Sequence, residues 1–262
     1  MTTRRDGPVV EPTPDRDAVQ RFLDADPVGT AFVWERGIRP DVPTTAFTVG
    51  APPRAVLGIV RPGWADGAAG LAMHALRPDD AGALLEAWPS GPVFVHLTEE
   101  WMRPLAESRA RHLDLSRYWL FRLDAEDFVD HEAAGVRPLG PEWASLVAHH
   151  WSPDWEATGY VRSRINAGPA FAIFDGGKPV AWVLTHVETP TVSVIGFIHV
   201  LDPYRRRGYA LSLTSAMVKD ILRRGKLPAL HVQTENTASL DLVCKLGFRR
   251  LKRQLFGEAV MR

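Results

Sequence analysis

Apolar and polar positions along the chain alternate between the two-residue period of strands and the three-to-four-residue period of helices. Val19, Phe22 and Leu23 share one face of a helix predicted over Asp15–Asp26. Strands are predicted over Thr30–Glu35, Thr45–Val49, Arg54–Val60 and Gly70–Leu76. A helix over Pro78–Ala87 carries proline in its first turn, where the missing N–H costs nothing. A strand over Val93–Leu97, a helix over Glu99–Ala110 and a strand over Tyr118–Leu123 complete the first half. Asp124–Gly135, acidic and then rich in Ala and Gly, reads as a linker.

The second half begins at Val136. Helices are predicted over Gly140–His150 and Trp155–Ala167, then a strand over Phe171–Phe174. Asp175-Gly176-Gly177-Lys178 has the chemistry of a hairpin turn. The returning strand is Val180–Val187, and Val192–Val200 is a long apolar strand. A helix over Gly208–Arg224 is stopped by Gly225, and one over Thr237–Leu246 by Gly247, since glycine takes the left-handed conformation that ends helices. The strands Ala229–Gln233 and Phe248–Phe256 flank the second of these. Both halves share an order: helix, a set of strands, then helix, strand, helix, strand. The order predicts an α/β chain with mixed (α+β) sheets in two tandem domains, 1–125 and 126–262.

Composition narrows the function. Apolar residues make up 45% of the 262 residues, ordinary for a globular chain. Lys+Arg and Asp+Glu are both 31. A general nucleic-acid binder carries a basic excess, so anion recognition here has to be local. One cysteine, Cys244, excludes a disulfide within the chain and suits a reducing cytoplasm. The opening MTTRRDGPVVEPTPDRD has no signal-peptide core and reads as a loose arm. No run approaches the roughly 18 apolar residues that span a bilayer.

Ser193–Arg224 is the most informative stretch. An apolar strand meets a turn containing Pro203, and Arg205-Arg206-Arg207-Gly208-Tyr209-Ala210 then opens a helix. Leu213, Met217 and Ile221, extended by Ala210, Val218 and Leu222, form its apolar face. A helix start has unpaired amides and a partial positive charge, a ready anion site. Gly208 and Ala210 let a phosphate approach the main chain. The plainer reading is a solvated basic turn shaped by Gly208. The pattern is neither a P-loop nor a dinucleotide turn.

In context the stretch resembles the GNAT acyltransferase superfamily. That family carries a [QR]-x-x-G-x-[GA] turn, matched by Arg205, Gly208 and Ala210. Its closing pattern is matched by Asn236, Ser239, Leu242, Leu246, Gly247 and Phe248, with Val243 where tyrosine is usual. The resemblance covers about Val136–Phe256. Trp182, Tyr204-Arg205-x-x-Gly208 and His231-Val232-x-x-x-Asn236 resemble the glycine N-acyltransferase-like branch, which carries a degenerate N-terminal copy of the fold. In the first half, MHALRPDDAGALLEAW lacks the turn and puts Asp79 and Asp80 where an anion would dock.

The resemblance implies acyl transfer from acetyl-CoA or another acyl-CoA to the amine of a small molecule or amino acid. Ile198, His199 and Val200 would contact the pantetheine, Arg205–Ala210 with Arg206, Arg207 and Tyr209 the pyrophosphate, and Asn236 and Ser239 the opposite side. The usual glutamate position is Val194 and the usual tyrosine position Val243, so neither role transfers. His231 is the candidate base; its other reading is a buried imidazole bonded to the main chain. His186 and Glu188 mark either an acceptor site or a polar hairpin end, and Cys244 an inert buried thiol. Trp143, Trp151, Trp155, Tyr160 and Trp182 are core residues by default, some of them walls of an acceptor pocket. No metal, nucleic-acid or membrane partner is implied, and the chain would be a monomer or homodimer. A non-catalytic acyl-CoA sensor is the alternative. An aminoacyl-tRNA-dependent transferase, which also pairs two such folds, suits neither the intact turn nor the neutral charge.

Overall fold

The computed structural model describes residues 10–12, 14–61, 68–131, 135–152 and 157–262. Trp155 and the start of the helix expected there lie outside them. The chain forms two compact units, Met1–Tyr118 with Arg253–Arg262, and Trp119–Lys252.

The first unit runs β1 (Val10–Pro12), α1 (Arg16–Leu23), α2 (Ala31–Gly37), β2 (Thr44–Val49), β3 (Ala55–Val60), β4 (Ala69–Ala75), α3 (Pro78–Ala83), β5 (Gly91–Leu97), α4 (Arg103–Arg109) and the start of β6 (Ala110–Arg122). The second runs β7 (Val136–Pro138), α5 (Ala144–Trp151), α6 (Thr158–Ala167), β8 (Ala170–Asp175), β9 (Lys178–Glu188), β10 (Val192–Val200), α7 (Tyr209–Arg223), β11 (Leu227–Gln233), α8 (Thr237–Lys245) and the start of β12 (Arg249–Met261). Element for element the two orders match. In the first unit the strands lie in the order β1-β2-β3-β4-β5-β12, and in the second β6-β11-β10-β9-β8-β7. Leu255–Met261 of β12 pair antiparallel with Gly91–Leu97 of β5. That pairing draws the last ten residues into the first unit, beyond the boundary the sequence pattern suggested.

Two expectations change. Thr30–Glu35 reads as a strand because Thr, Phe, Val and Trp favour strands, yet Ala31–Gly37 is helical. Thr30 Oγ1 donates to the carbonyls of Leu23 (2.9 Å) and Asp26 (2.8 Å), fixing the entry to α2. A Cβ on Gly58 of β3 would stand 2.6 Å from the Gly37 nitrogen. Only glycine allows so close a backbone approach, and this docking overrides local propensity. The N-terminal arm also has structure: Val10–Pro12 pair with Phe47–Val49.

In the second unit, two apolar layers cover the sheet. Leu213, Met217, Val218 and Ile221 of α7 pack with Ala181, Val183 and Ile195. On the other face, Val147, Val161 and Ile165 pack with Trp182, Leu184 and Phe197.

Candidate functional site

β10 is joined to β11 in parallel register only over Val192–Ile195 with Leu227–Leu230. Beyond that point β10 keeps its antiparallel partner β9, with His199 opposite Trp182 and Val200 opposite Ala181. The register slips between Gly196 and His199, and Phe197 takes a positive φ of 50°. A non-glycine residue there marks a bulge, a device that re-aims the main chain. Leu201 N donates to Val180 O (2.9 Å) on the β9 side. Strand alternation then turns the main-chain groups of Val200 toward the gap where β10 has left β11.

The turn after β10 leads directly into α7. Gly208 caps α7 with φ 80° and ψ 0°, a left-handed conformation natural to glycine, and a Cβ placed on it would meet nothing within 4 Å. The first helical bond is Ser212 N to Gly208 O (3.0 Å), so the amides of Tyr209, Ala210 and Leu211 have no partner within the helix. The helix is fifteen residues long, enough to present a full end dipole. Around it, Arg205 is paired with Asp202 (2.9 Å) and its Nε donates to Val200 O (3.2 Å). Arg207 lies over the Tyr204 ring and donates to Pro203 O (3.0 Å). Tyr204 Oη donates to Asp175 (2.6 Å), which raises the phenol's pKa above its usual value. Arg206 takes φ 61° and is exposed.

Of the sequence-predicted residues, Ile198, His199 and Val200 lie on the departing strand, Arg205–Ala210 at the turn after it, and His231 on β11 one residue past the last pair. His231 is half-buried. Asn236 is the N-cap of α8, its Oδ1 accepting from Ser239 N (3.1 Å). Val194 and Val243 are buried in apolar surroundings. Glu188 sits opposite Ser193, at the far end of β10 from the turn, and accepts from Ser193 Oγ (2.9 Å) and Lys226 Nζ (2.7 Å). These contacts suit the polar hairpin end, the second of its two readings. Cys244 is exposed, against the expectation of a buried thiol.

On the α5–α6 face of β10 lies a cluster of rings that sequence spacing only half revealed. His199 stacks on Trp182 (centroids 4.9 Å apart) and lies 5.0 Å from His150. Burial, then the nearby His150 and Arg205, lower the pKa of His199 below the ordinary imidazole value. Trp151, Tyr160, His186 and Phe197 form a second group; His186 and Phe197 are 4.1 Å apart. Trp143 packs instead on Phe174. His150, Gly196 and Phe197 had no place in the motif reading, although an isolated glycine inside a strand is a recognised sign of a bulge or close approach. Among the described residues no group of His, Cys, Asp and Glu is placed to hold a metal ion, and no helix is long and apolar enough to cross a membrane.

Comparisons with known proteins address the fold. Residues 173–256 match the family model described as FR47-like protein. No curated protein matches the sequence. Among solved structures, a Drosophila protein aligns with TM-score 0.77 at 16% identity, covering 97% of this chain and 99% of its own. A putative acetyltransferase of the GNAT family from Novosphingobium aromaticivorans gives 0.59 at 16%, covering 79% and 88%. A tandem GNAT protein from the clavulanic acid biosynthesis pathway gives 0.55 at 17%, covering 96% and 98%. The chain has the fold of the GNAT acetyltransferases.

Proposed function

We propose that the second unit binds an acyl-CoA and transfers its acyl group to the amine of a small molecule or amino acid. The observation that carries this is the splay of β10 from β11 directly before a helix start whose Gly208 is left-handed and open. The amides of Tyr209, Ala210 and Leu211 suit a pyrophosphate, and hydrogen bonds to a charged group contribute about 1.5–3 kcal/mol each. Arg206 and Arg207 add local positive charge to a chain of zero net charge. The Val200 main chain suits the amide groups of pantetheine, and the bulge at Phe197 lies where β10 and β11 part. An amine lone pair attacking the thioester carbon there would be helped by a strand amide facing the developing oxyanion. His231 lies on the β11 side of the same gap.

Isothermal calorimetry with CoA and acetyl-CoA, paired with free-thiol release over an amine panel, tests the reading. Binding together with amine-dependent thiol release is expected; absence of CoA binding overturns it. One observation favours a second reading, a non-catalytic acyl-CoA sensor. Val194 and Val243 place two buried methyl-bearing side chains where relatives put an acid and a base. Binding without thiol release on any amine would select the sensor.

A further inference from the structure

β9 and β10 stay paired past the point where β11 is lost, and their pairing sets two imidazoles beside the gap. His199 stands opposite Trp182, and Val200 opposite Ala181. Residues directly opposite in an antiparallel pair share a face of the sheet. Ala181 belongs to the apolar layer with α7, and Trp182 to the layer with α5 and α6. His199 therefore leaves β10 on the α5–α6 side. Its ring stacks on Trp182 at an interplanar angle of 21°. It also lies against His150, in the last turn of α5, with centroids 5.0 Å apart. His150 is exposed and His199 half-buried, so the pair leads from solvent to the strand.

His199 lies between Phe197, where β10 bulges, and Val200, whose main chain faces the gap. A pantetheine arm running from the turn past Val200 would bring its thioester to this stretch. An amine entering from the α5–α6 side would then meet the His199 ring. The titratable groups around that ring are His150, with His149 against it (5.4 Å), on α5, and Asp202 and Arg205 in the turn. His186 of β9 and Tyr160 of α6 pack around Phe197 on the same face. Burial, then His150 and Arg205, disfavour a charged His199 against the weaker pull of Asp202. The ring is therefore neutral at pH 7 and carries a lone pair.

We infer that His199 takes the proton from the acceptor ammonium, with His150 as its positioning residue; this rests on the acyl-transfer reading above. The ammonium gives one proton to the imidazole, which passes it to solvent. The freed lone pair forms the C–N bond as the C–S bond breaks. The second proton shed by nitrogen ends on the departing thiolate, so the products are amide, thiol and one proton.

The test uses the full chain with acetyl-CoA and the amine from the panel that gives the fastest thiol release. CoA affinity is measured on the same preparations. For the unaltered protein, kcat/KM should be level from about pH 7 to 9, below the amine's own pKa of about 10. Its acid limb should lie below the ordinary imidazole value of 6.5. For His199→Gln, kcat/KM at pH 7 should fall about 10²–10⁴-fold, the usual contribution of a general base. CoA affinity should stay within about threefold. The activity left should rise about tenfold per pH unit, because solution deprotonation of the amine then replaces the imidazole. His199→Asn should give the same slope, so the result does not hang on one replacement. His150→Gln should keep most of the level rate and move the acid limb to higher pH, since a like charge near His199 is gone. A level profile in His199→Gln, or the slope appearing in His186→Gln or His231→Gln instead, overturns the assignment. An unmoved acid limb in His150→Gln overturns the part given to His150. CoA binding with no turnover by the unaltered protein overturns the proposal while sparing the CoA site. Failure of the unaltered protein to bind CoA overturns both.

Discussion

The parallel pair of the first unit and that of the second end differently. β4 and β5 stay in register over Ala69–Met73 and Val93–Leu97, to the end of β5. Past that end, Thr98 N donates to Met73 O (3.2 Å), and Thr98 Oγ1 bonds His74 Nδ1 (2.8 Å). β10 and β11 part after four pairs. The helices that follow differ in the same sense. α3 is six residues long and opens with Pro78, Asp79 and Asp80. Asp80 is buried and takes a two-nitrogen grip from Arg54 (2.8 Å at the shorter contact). α7 opens with a left-handed glycine, Gly208, followed by Tyr209 and Ala210. One repeat of elements has thus been stitched shut, with its own carboxylate at the helix start. The other is left open, with bare amides there. The lesson is that element order alone does not carry a ligand site; the last two pairs of a strand and one cap residue do.

The largest expected effect breaks this difference. Gly208→Glu places a carboxylate at the α7 start, as α3 has at its own. CoA affinity should drop more than about 100-fold, since that needs only ~2.7 kcal/mol and each lost charged hydrogen bond contributes about 1.5–3. The positive φ of 80° adds a stability cost of about 1–3 kcal/mol for any side chain. Gly208→Ala separates the two effects: a similar fall in thermal midpoint with far weaker loss of CoA affinity. Equal losses in both variants would show that backbone strain, not the anion site, governs binding.

Next in size is a change confined to the first unit. Gln254 is fully buried; its Nε2 donates to Gly29 O (2.8 Å), and its Oε1 meets His96 Nε2 (2.9 Å). Gln254→Ala removes a partner from two buried polar groups. The expected cost is roughly 2–4 kcal/mol by denaturant unfolding, at about 1–3 per buried group. CoA affinity of the folded protein should be unaltered. A matching loss of CoA affinity would mean that the closed pair helps to form the site.

How much of this was legible varies with how local the cause is. The turn at Arg205–Ala210 and the strand before it could be read because cap, apolar period and glycine all lie within about twenty residues. α2 could not, since its docking depends on Gly58, twenty-one residues beyond Gly37. The place of β12 beside β5 depends on residues 158 positions apart, such as Leu97 and Leu255. No local pattern encodes such a pairing. The bulge at Phe197 arises because β10 follows β9 after losing β11, so it exists only once three strands have met. Hence the phosphate end of the site was visible in the sequence, while the His150–His199 pair was not.

Asn236 sharpens the same distinction between motif and geometry. Motif matching places it against the ligand; the structure uses its Oδ1 to cap α8. Asn236→Ala should cost about 1 kcal/mol of stability, typical of a lost cap. CoA affinity should change by less than about threefold, or ~0.7 kcal/mol. Asn236→Ser, which keeps a capping oxygen, should restore most of the stability. A CoA defect in both variants would return Asn236 to the ligand.

The smallest expected effect, on stability, comes from His199, whose pKa lies below its ordinary value through burial and then the nearby His150 and Arg205. The unfolded chain therefore holds the proton more tightly than the folded one. Stability from this group is fully present above the unfolded value of 6.5 and drains away as pH falls from there through the lower folded value. His199→Gln removes that dependence. The gap between the thermal midpoints at pH 7 and pH 5 should shrink by about a degree, a small figure because the group is only half-buried and solvent screens it. His74 of the first unit, buried at the closed pair and bonded to Thr98, supplies the contrast. Its replacement by Gln should lower the midpoint at both pH values, because a buried hydrogen bond is lost whatever the pH. A His199→Gln protein with the full pH gap would place the source of the acid sensitivity in another group.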